Sequence, residues 1–439
     1  MTNAESKTQA MRNASTVEVE LGPRHDLFVA PDNDRTRQWG VYGRPEMYRA
    51  DDGSIVVFDP GDMDTYDRAL GKLCEAVAYR STDNGQTWQD ADVETWGHPY
   101  KVLTLSNGDK VQFLPKRDDV CLREQGLKPV VHVISPNEGA LYGLFRYGDI
   151  PVDVRGFQVR YKKAGAEEWE CHDAVIDAPD LLLAVPVKAK KGDALWPDVP
   201  SLWHAMRHSL TGLNKGCTGQ ECLVEAADDS WLAGVVDHAP TEDSGSDFCK
   251  LRCIASTDQG KTWTLRGDIY NDRDMTRFGA TEEYSLIRLG NEIVCAYRMD
   301  HCSRDPHDMT LLSRSSDNGM TWSTPVEAAE TSVTPHLVRL ENGVVALTHG
   351  RPGVHVQFST DGCRTWEAHT PIIGKTKSQV LADGEDLMEA KYWSLSPSYS
   401  NTRTVITGPD RFLVLYTDFK YGGEKRKAIV VQEIVVFEK

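Results

Sequence analysis

Ser81-Thr82-Asp83-Asn84-Gly85-Gln86-Thr87-Trp88 is the stretch whose reading decides the fold. It returns as Ser256-Thr257-Asp258-Gln259-Gly260-Lys261-Thr262-Trp263, as Ser315-Ser316-Asp317-Asn318-Gly319-Met320-Thr321-Trp322, and as Ser359-Thr360-Asp361-Gly362-Cys363-Arg364-Thr365-Trp366. The common pattern, S-[ST]-D-x-[GC]-x-T-W, has the chemistry of a hairpin turn. Ser and Asp side chains accept hydrogen bonds from the turn's own backbone N–H groups. Glycine supplies the positive φ of a tight reversal. Thr then re-enters a strand, and Trp packs beneath the turn. In the fourth copy Gly362 stands one place early and Cys363 takes the usual glycine place, so that turn is expected to differ.

These octapeptides resemble the Asp-box repeat of the sialidase-like β-propellers. Propellers that carry them include hydrolases, lyases and binding modules. The resemblance therefore implies an architecture, and the chemistry has to be argued from other residues. The expected fold is all-β: a six-bladed β-propeller with four Asp-box hairpins, forming a single domain over 1–439.

Bulk composition agrees. A chain of 439 residues is long for one core, but a propeller adds sheets around a ring. Hydrophobic residues at 40% and aromatic residues at 8% suit a globular protein. No apolar run approaches the length of a membrane helix, so no membrane partner is expected. Met1 to Val17 is polar and lacks the apolar centre of a signal peptide, which favours a cytoplasmic location, or a secreted one if a signal was removed. A net charge of −17 argues against nucleic acid. Distant charges are screened beyond about 8 Å, so a local arginine cluster can still govern a pocket. Cys217, Cys222, Cys249 and Cys253 are spaced more loosely than zinc ligands and read as buried thiols. Neither a metal nor a cofactor is expected.

Alternating strands and Gly or Asn turns then place the blades. The first runs from Pro45 through Ile55-Val56-Val57-Phe58 and Cys74 to Arg80, into the first octapeptide. The second opens at Tyr100 to Leu105 and Lys110 to Leu114. The region of about 118–198 exceeds one blade's remainder and reads as an insertion or an elaborated blade. Within it Val159-Arg160-Tyr161 and Trp169 read as a decayed hairpin of the same kind. Three more blades lead into the other octapeptides, and Ser400 to Ile406, Phe412 to Tyr416 and Ala428 to Phe437 close the ring.

The chain is similar to sialidases in three further places. Glu283-Tyr284-Ser285-Leu286-Ile287-Arg288-Leu289 runs on to Arg298, matching the family's Glu and Arg on one blade. Arg351 precedes the fourth octapeptide as a second family Arg does. Tyr399-Ser400 opens the last blade as the family's Tyr does. The resemblance implies Tyr399 as nucleophile, Glu283 as its base partner, and Arg298 and Arg351 as clamps on a substrate carboxylate. The logic is sound: Arg binds a carboxylate through two parallel N–H bonds, and a tyrosine nucleophile escapes the repulsion a carboxylate would meet. Gly43-Arg44-Pro45 offers Arg44 as a third clamp, although it is displaced by one residue from the family's order. The loop with Asp59, Asp62, Asp64 and Asp67 offers the acid, with Asp67 ahead of Asp64. His349 is a candidate for a sugar hydrogen bond. His301, Asp305 and His307 read as a substrate-contacting lid ahead of metal ligands, and Glu221 and Glu225 could line a central cavity.

The expected function is a retaining exo-glycosidase acting on terminal sialic acid or a related acidic sugar of a glycan. Another carbohydrate-active hydrolase or lyase on the same scaffold, and a non-catalytic glycan-binding propeller, are the alternatives.

Overall fold

The structure, a computed structural model, describes residues 15–37, 40–43, 45–61, 74–96, 102–115, 126–134, 141–152, 155–188, 223–240, 247–271, 280–300, 309–331, 333–390 and 404–438. It is nearly all β. After β1 (Val17–Val29), the strands β2 (Glu46–Arg49), β3 (Ile55–Asp59), β4 (Val77–Ser81) and β5 (Gln89–Asp90) form an antiparallel sheet in chain order. The same meander recurs as β17 (Ala280–Leu289), β18 (Glu292–Asp300), β19 (Met309–Ser315) and β20 (Val326–Ala329), and as β21 (Val333–Arg339), β22 (Val345–Gly350), β23 (Val354–Ser359) and β24 (Glu367–Ile373).

Two further meanders are fused. One comprises β6 (Leu103–Thr104), β7 (Lys110–Pro115), β10 (Phe157–Lys162) and β11 (Glu170–Asp177). The other comprises β13 (Leu223–Glu225), β14 (Trp231–Pro240), β15 (Asp247–Ser256) and β16 (Thr262–Tyr270). A short parallel pairing of β11 with β16, Val175 to Thr262 and Ile176 to Trp263, joins them into one eight-stranded sheet.

The span read as an insertion thus divides in two. Its strands β10 and β11 finish the second meander, with the expected hairpin between them. β8 (Val131–Ile134), β9 (Leu141–Arg146) and β12 (Leu182–Lys188) form a separate three-stranded sheet. The last sheet also differs from the sequence reading. Its order is β25 (Thr404–Gly408), β26 (Arg411–Asp418), β27 (Ala428–Glu438) and then β1, so an early strand supplies the outer edge.

Burial follows position. In β10, Phe157, Val159 and Tyr161 point inward while Gln158, Arg160 and Lys162 are half-buried, the alternation of a strand with one covered face. β22 and β23 are buried at every residue, because sheets cover both of their faces. Consecutive sheets share apolar cores: Leu232, Cys253 and Leu286 sit in one, Val294 and Leu347 in another, and Val356, Phe412 and Val430 in a third. Between the first and second meanders the links described are polar: Lys110 Nζ lies 2.7 Å and Lys162 Nζ 3.2 Å from the Asp51 carboxylate.

All four octapeptides form one turn. The Ser hydroxyl accepts from the N–H of the glycine-place residue, at 2.8 Å from Gly85, 2.9 Å from Gly260, 2.8 Å from Gly319 and 2.8 Å from Cys363. The Asp Oδ1 accepts from the Thr N–H at 2.9, 2.9, 2.9 and 3.0 Å in the same order. The difference expected at the fourth turn is not found. Two successive residues have positive φ in every copy, and the fourth swaps which of them is glycine: Gly362 at 75° and Cys363 at 63°, against Asn84 at 59° and Gly85 at 87°.

Each turn also keys into the preceding sheet. A Cβ at Gly85 would lie 2.5 Å from Leu413 Cδ1, and one at Gly319 would lie 2.9 Å from Cys253 Sγ. Glycine is required there for close approach as well as for φ. Cys363 instead fills the core it meets, beside Ile287, Val294 and Leu312.

Candidate functional site

Glu283 and Arg298 are brought together by an irregularity in β17. Thr281 pairs with Met299 and Tyr284 with Tyr297, so Glu282 and Glu283 together oppose the single residue Arg298. An extra residue of this kind re-aims a side chain that strict alternation would send elsewhere. Arg298 Nη1 donates to Glu283 Oε2 at 3.3 Å, with side-chain exposures of 9% and 13%. The backbone N–H of Thr334, on β21 of the next sheet, donates to the same oxygen at 2.8 Å. Glu283 Oε2 is thus held by two donors, one from its own sheet and one from the next.

The next sheet repeats the bulge. Val333 pairs with Gly350 and His336 with Thr348, so Thr334 and Pro335 oppose the single residue His349. His349 therefore stands in its sheet where Arg298 stands in the neighbouring one. Arg351 follows at the end of β22, 4% exposed, with φ of 56°. Its N–H donates to Gly353 O at 3.1 Å. The Thr334 that holds Glu283 thus lies beside the pair Val333–Gly350 that leads into Arg351. Glu283 and Arg298 are thus tied to the next sheet through Thr334, and that sheet's strand β22 ends just before Arg351.

His349 is placed differently from expectation. It is 1% exposed, its Nδ1 lies 2.5 Å from Thr331 Oγ1, and its ring stacks 5.6 Å from His355 and 5.8 Å from His369. In this conformation it offers a sugar no accessible ring edge. Asp59 is buried with Oδ1 accepting from Gly61 N–H at 2.7 Å. Glu225 Oε2 accepts from Ser106 N–H at 2.6 Å, closing a neighbouring turn. Arg44, Asp62, Asp64, Asp67, Glu221, His301, Asp305, His307 and Tyr399 lie outside the described residues, as do Cys217 and Cys222. Cys253 is a buried free thiol, pushed up to about 12 by its burial.

Burial pushes His349 well below the ordinary histidine range and His355 down to about 4, with the adjoining imidazoles acting in the same direction. An unfolded histidine titrates near 6.5. Between pH 6.5 and 4 the unfolded chain therefore takes up protons that folded His355 refuses. Stability should be full above pH 6.5 and fall as the pH drops toward 4, by about 3 kcal/mol for His355 alone. Urea midpoints at pH 7.5, 5.5 and 4.5 would read this. His355→Gln should flatten the slope, and an unchanged slope would contradict the assignment.

Comparison with known proteins agrees with this architecture. Residues 79–90 match the family model of the BNR/Asp-box repeat. No curated protein sequence matches the chain. Among solved structures it is similar to a protein of unknown function from Dyadobacter fermentans, with 15% identity and a TM-score of 0.54, over 95% of this chain and 99% of that one. It is similar to a Trypanosoma rangeli sialidase in complex with 2,3-difluorosialic acid as a covalent intermediate, with 12% identity, a TM-score of 0.43 and 95% of this chain covered. The chain spans 59% of that sialidase's length. It is also similar to a Penicillium chrysogenum α-L-arabinanase complexed with arabinobiose, with 13% identity and a TM-score of 0.46, over 94% of this chain and 98% of that one. At such identities the likeness concerns the fold. The repeat model matches the first of the four octapeptides, the Asp-box repeat they were read to resemble.

Proposed function

We propose that the chain is a glycoside hydrolase of sialidase type on a six-bladed propeller, whose blades are the four-stranded meanders and whose Asp boxes are the four turns. The substrate is a glycan ending in sialic acid or a related acidic sugar. Arg298 and Arg351, with Arg44, grip its carboxylate. Tyr399 attacks the anomeric carbon, the phenol's proton passing to Glu283, and an acid from the loop holding Asp64 and Asp67 protonates the leaving oxygen. Water then resolves the glycosyl–tyrosine intermediate with overall retention.

The observation that supports this most is the Glu283–Arg298 pair, held at Oε2 by the Thr334 N–H, in the bulge next to the sheet whose strand β22 leads into Arg351. A general base needs a carboxylate fixed in position, and two donors fix this one. The test is hydrolysis of an aryl α-sialoside followed by NMR of the first-formed anomer. The α-anomer is expected. The β-anomer, or no turnover by folded protein, would overturn the reading.

A second reading is a carbohydrate-active enzyme for a different acidic glycan. It is favoured by the separate sheet of β8, β9 and β12 and by the order Gly43-Arg44-Pro45. Turnover of uronic-acid oligosaccharides in place of the sialoside would select it.

A further inference from the structure

Arg351 sits in a turn that depends on its neighbours. Its φ of 56° is left-handed, a region that a residue with a Cβ occupies only against steric strain. Two hydrogen bonds close the turn: Arg351 N–H to Gly353 O at 3.1 Å, and His355 Nε2–H to Pro352 O at 3.0 Å. A carbonyl only accepts, so Nε2 carries the hydrogen and His355 is the donor. Space around the turn is closed as well. A Cβ at Gly353 would lie 2.6 Å from His355 Nε2, 2.9 Å from Ile373 O and 2.9 Å from Lys375 O. His355 itself has little freedom. It is fully buried on β23, opposite His349 in the ladder, with its ring 5.6 Å from that of His349 and 5.1 Å from that of His369.

We propose that His355 is a positioning residue: as the donor to Pro352 O it holds the turn 351–353 and so aims the Arg351 guanidinium at the anionic group of the bound sugar. The identity of that anion rests on the glycosidase reading above, whereas the anchoring does not. A guanidinium whose backbone is fixed loses less freedom on forming two parallel bonds to a carboxylate, which is how a buried histidine reaches the binding step. His355 touches no substrate in this scheme. It acts through a carbonyl on the other side of the turn.

Two variants separate anchoring from general packing. His355→Gln replaces the ring with a side chain whose amide nitrogen can still donate to Pro352 O. His355→Leu fills similar space and cannot donate. Both lose the stacked ring, so both should lose stability. Crystal structures of the two should show Arg351 left-handed in the Gln variant and relaxed to negative φ in the Leu variant. With an aryl sialoside, KM should rise about 10-fold in His355→Leu and stay within about 3-fold in His355→Gln, with kcat altered less than KM. Calorimetry with free N-acetylneuraminate should show the same order. Wild-type backbone and affinity in the Leu variant, or equal losses in both variants, would overturn the proposal. Should the wild type bind no N-acetylneuraminate, the glycosidase reading falls, and the two crystal structures alone decide the anchoring.

Discussion

Tyr399→Phe is expected to lower kcat on an aryl sialoside by about 10³-fold or more, equivalent to ~4 kcal/mol of transition-state stabilisation. The change removes one oxygen, and that oxygen is the atom proposed to bond to the anomeric carbon. KM should move little, because the carboxylate grip belongs to arginines that the substitution leaves alone. Glu283 supports the prediction from the other side. Its Oε2 is engaged by Arg298 at 3.3 Å and by Thr334 N–H at 2.8 Å, which fixes the carboxylate proposed to take the phenol's proton. Glu283→Gln should therefore reproduce much of the loss without adding to it in the double variant, since residues acting as one unit are not additive. A Tyr399→Phe protein that keeps wild-type kcat, or a double variant with multiplied losses, would remove Tyr399 from the chemistry.

Trp263→Ala should carry the largest stability cost of any single turn substitution, about 4 kcal/mol. Its indole is fully buried, donates to Gly260 O at 2.9 Å, and meets Phe113 at 6.0 Å and Phe157 at 6.2 Å between centroids. Its backbone lies in the parallel pairing with Ile176 that fuses two meanders. Removing the ring therefore opens a cavity where sheet fusion and core packing coincide. Trp88, at the same position of the first turn, is only half-buried and should cost much less. Hydrogen exchange would locate the effect: protection should fall across β10, β11 and β16 together. A loss under about 1 kcal/mol, or one confined to the turn, would contradict this.

The turns were the most legible part of the chain because their information is local. Ser, Asp, glycine and Thr satisfy one another within eight residues, and the pattern survives even where Gly362 and Cys363 exchange places. The apolar strand Ile55 to Phe58 between its turns was legible for the same reason. What escaped the sequence was set by distant partners. Nothing in Val17 to Val29 states that its ladder mate is the strand ending at Glu438. Nothing in Glu170 to Asp177 announces a parallel neighbour. At the candidate site, the resemblance to sialidases pointed to Glu283, Arg298 and Arg351, but a period of two could not foresee that two residues oppose one at Arg298 and again at His349. The second bulge and the burial around it turned His349 from an expected sugar contact into a ring stacked on His355. His355 and Thr334 carried no sequence signal, since one reaches the site through a carbonyl and the other through its own N–H.

The pairing of β1 with β27 has a mechanical corollary. Val17 faces Glu438 and Val29 faces Ala428, so the outer ends of both strands emerge side by side. A pull separating the segments before Val17 and after Glu438 would peel the ladder from that end, breaking bonds worth about 1 kcal/mol each in succession, never many at once. The molecule should yield to stretching at this seam under modest force.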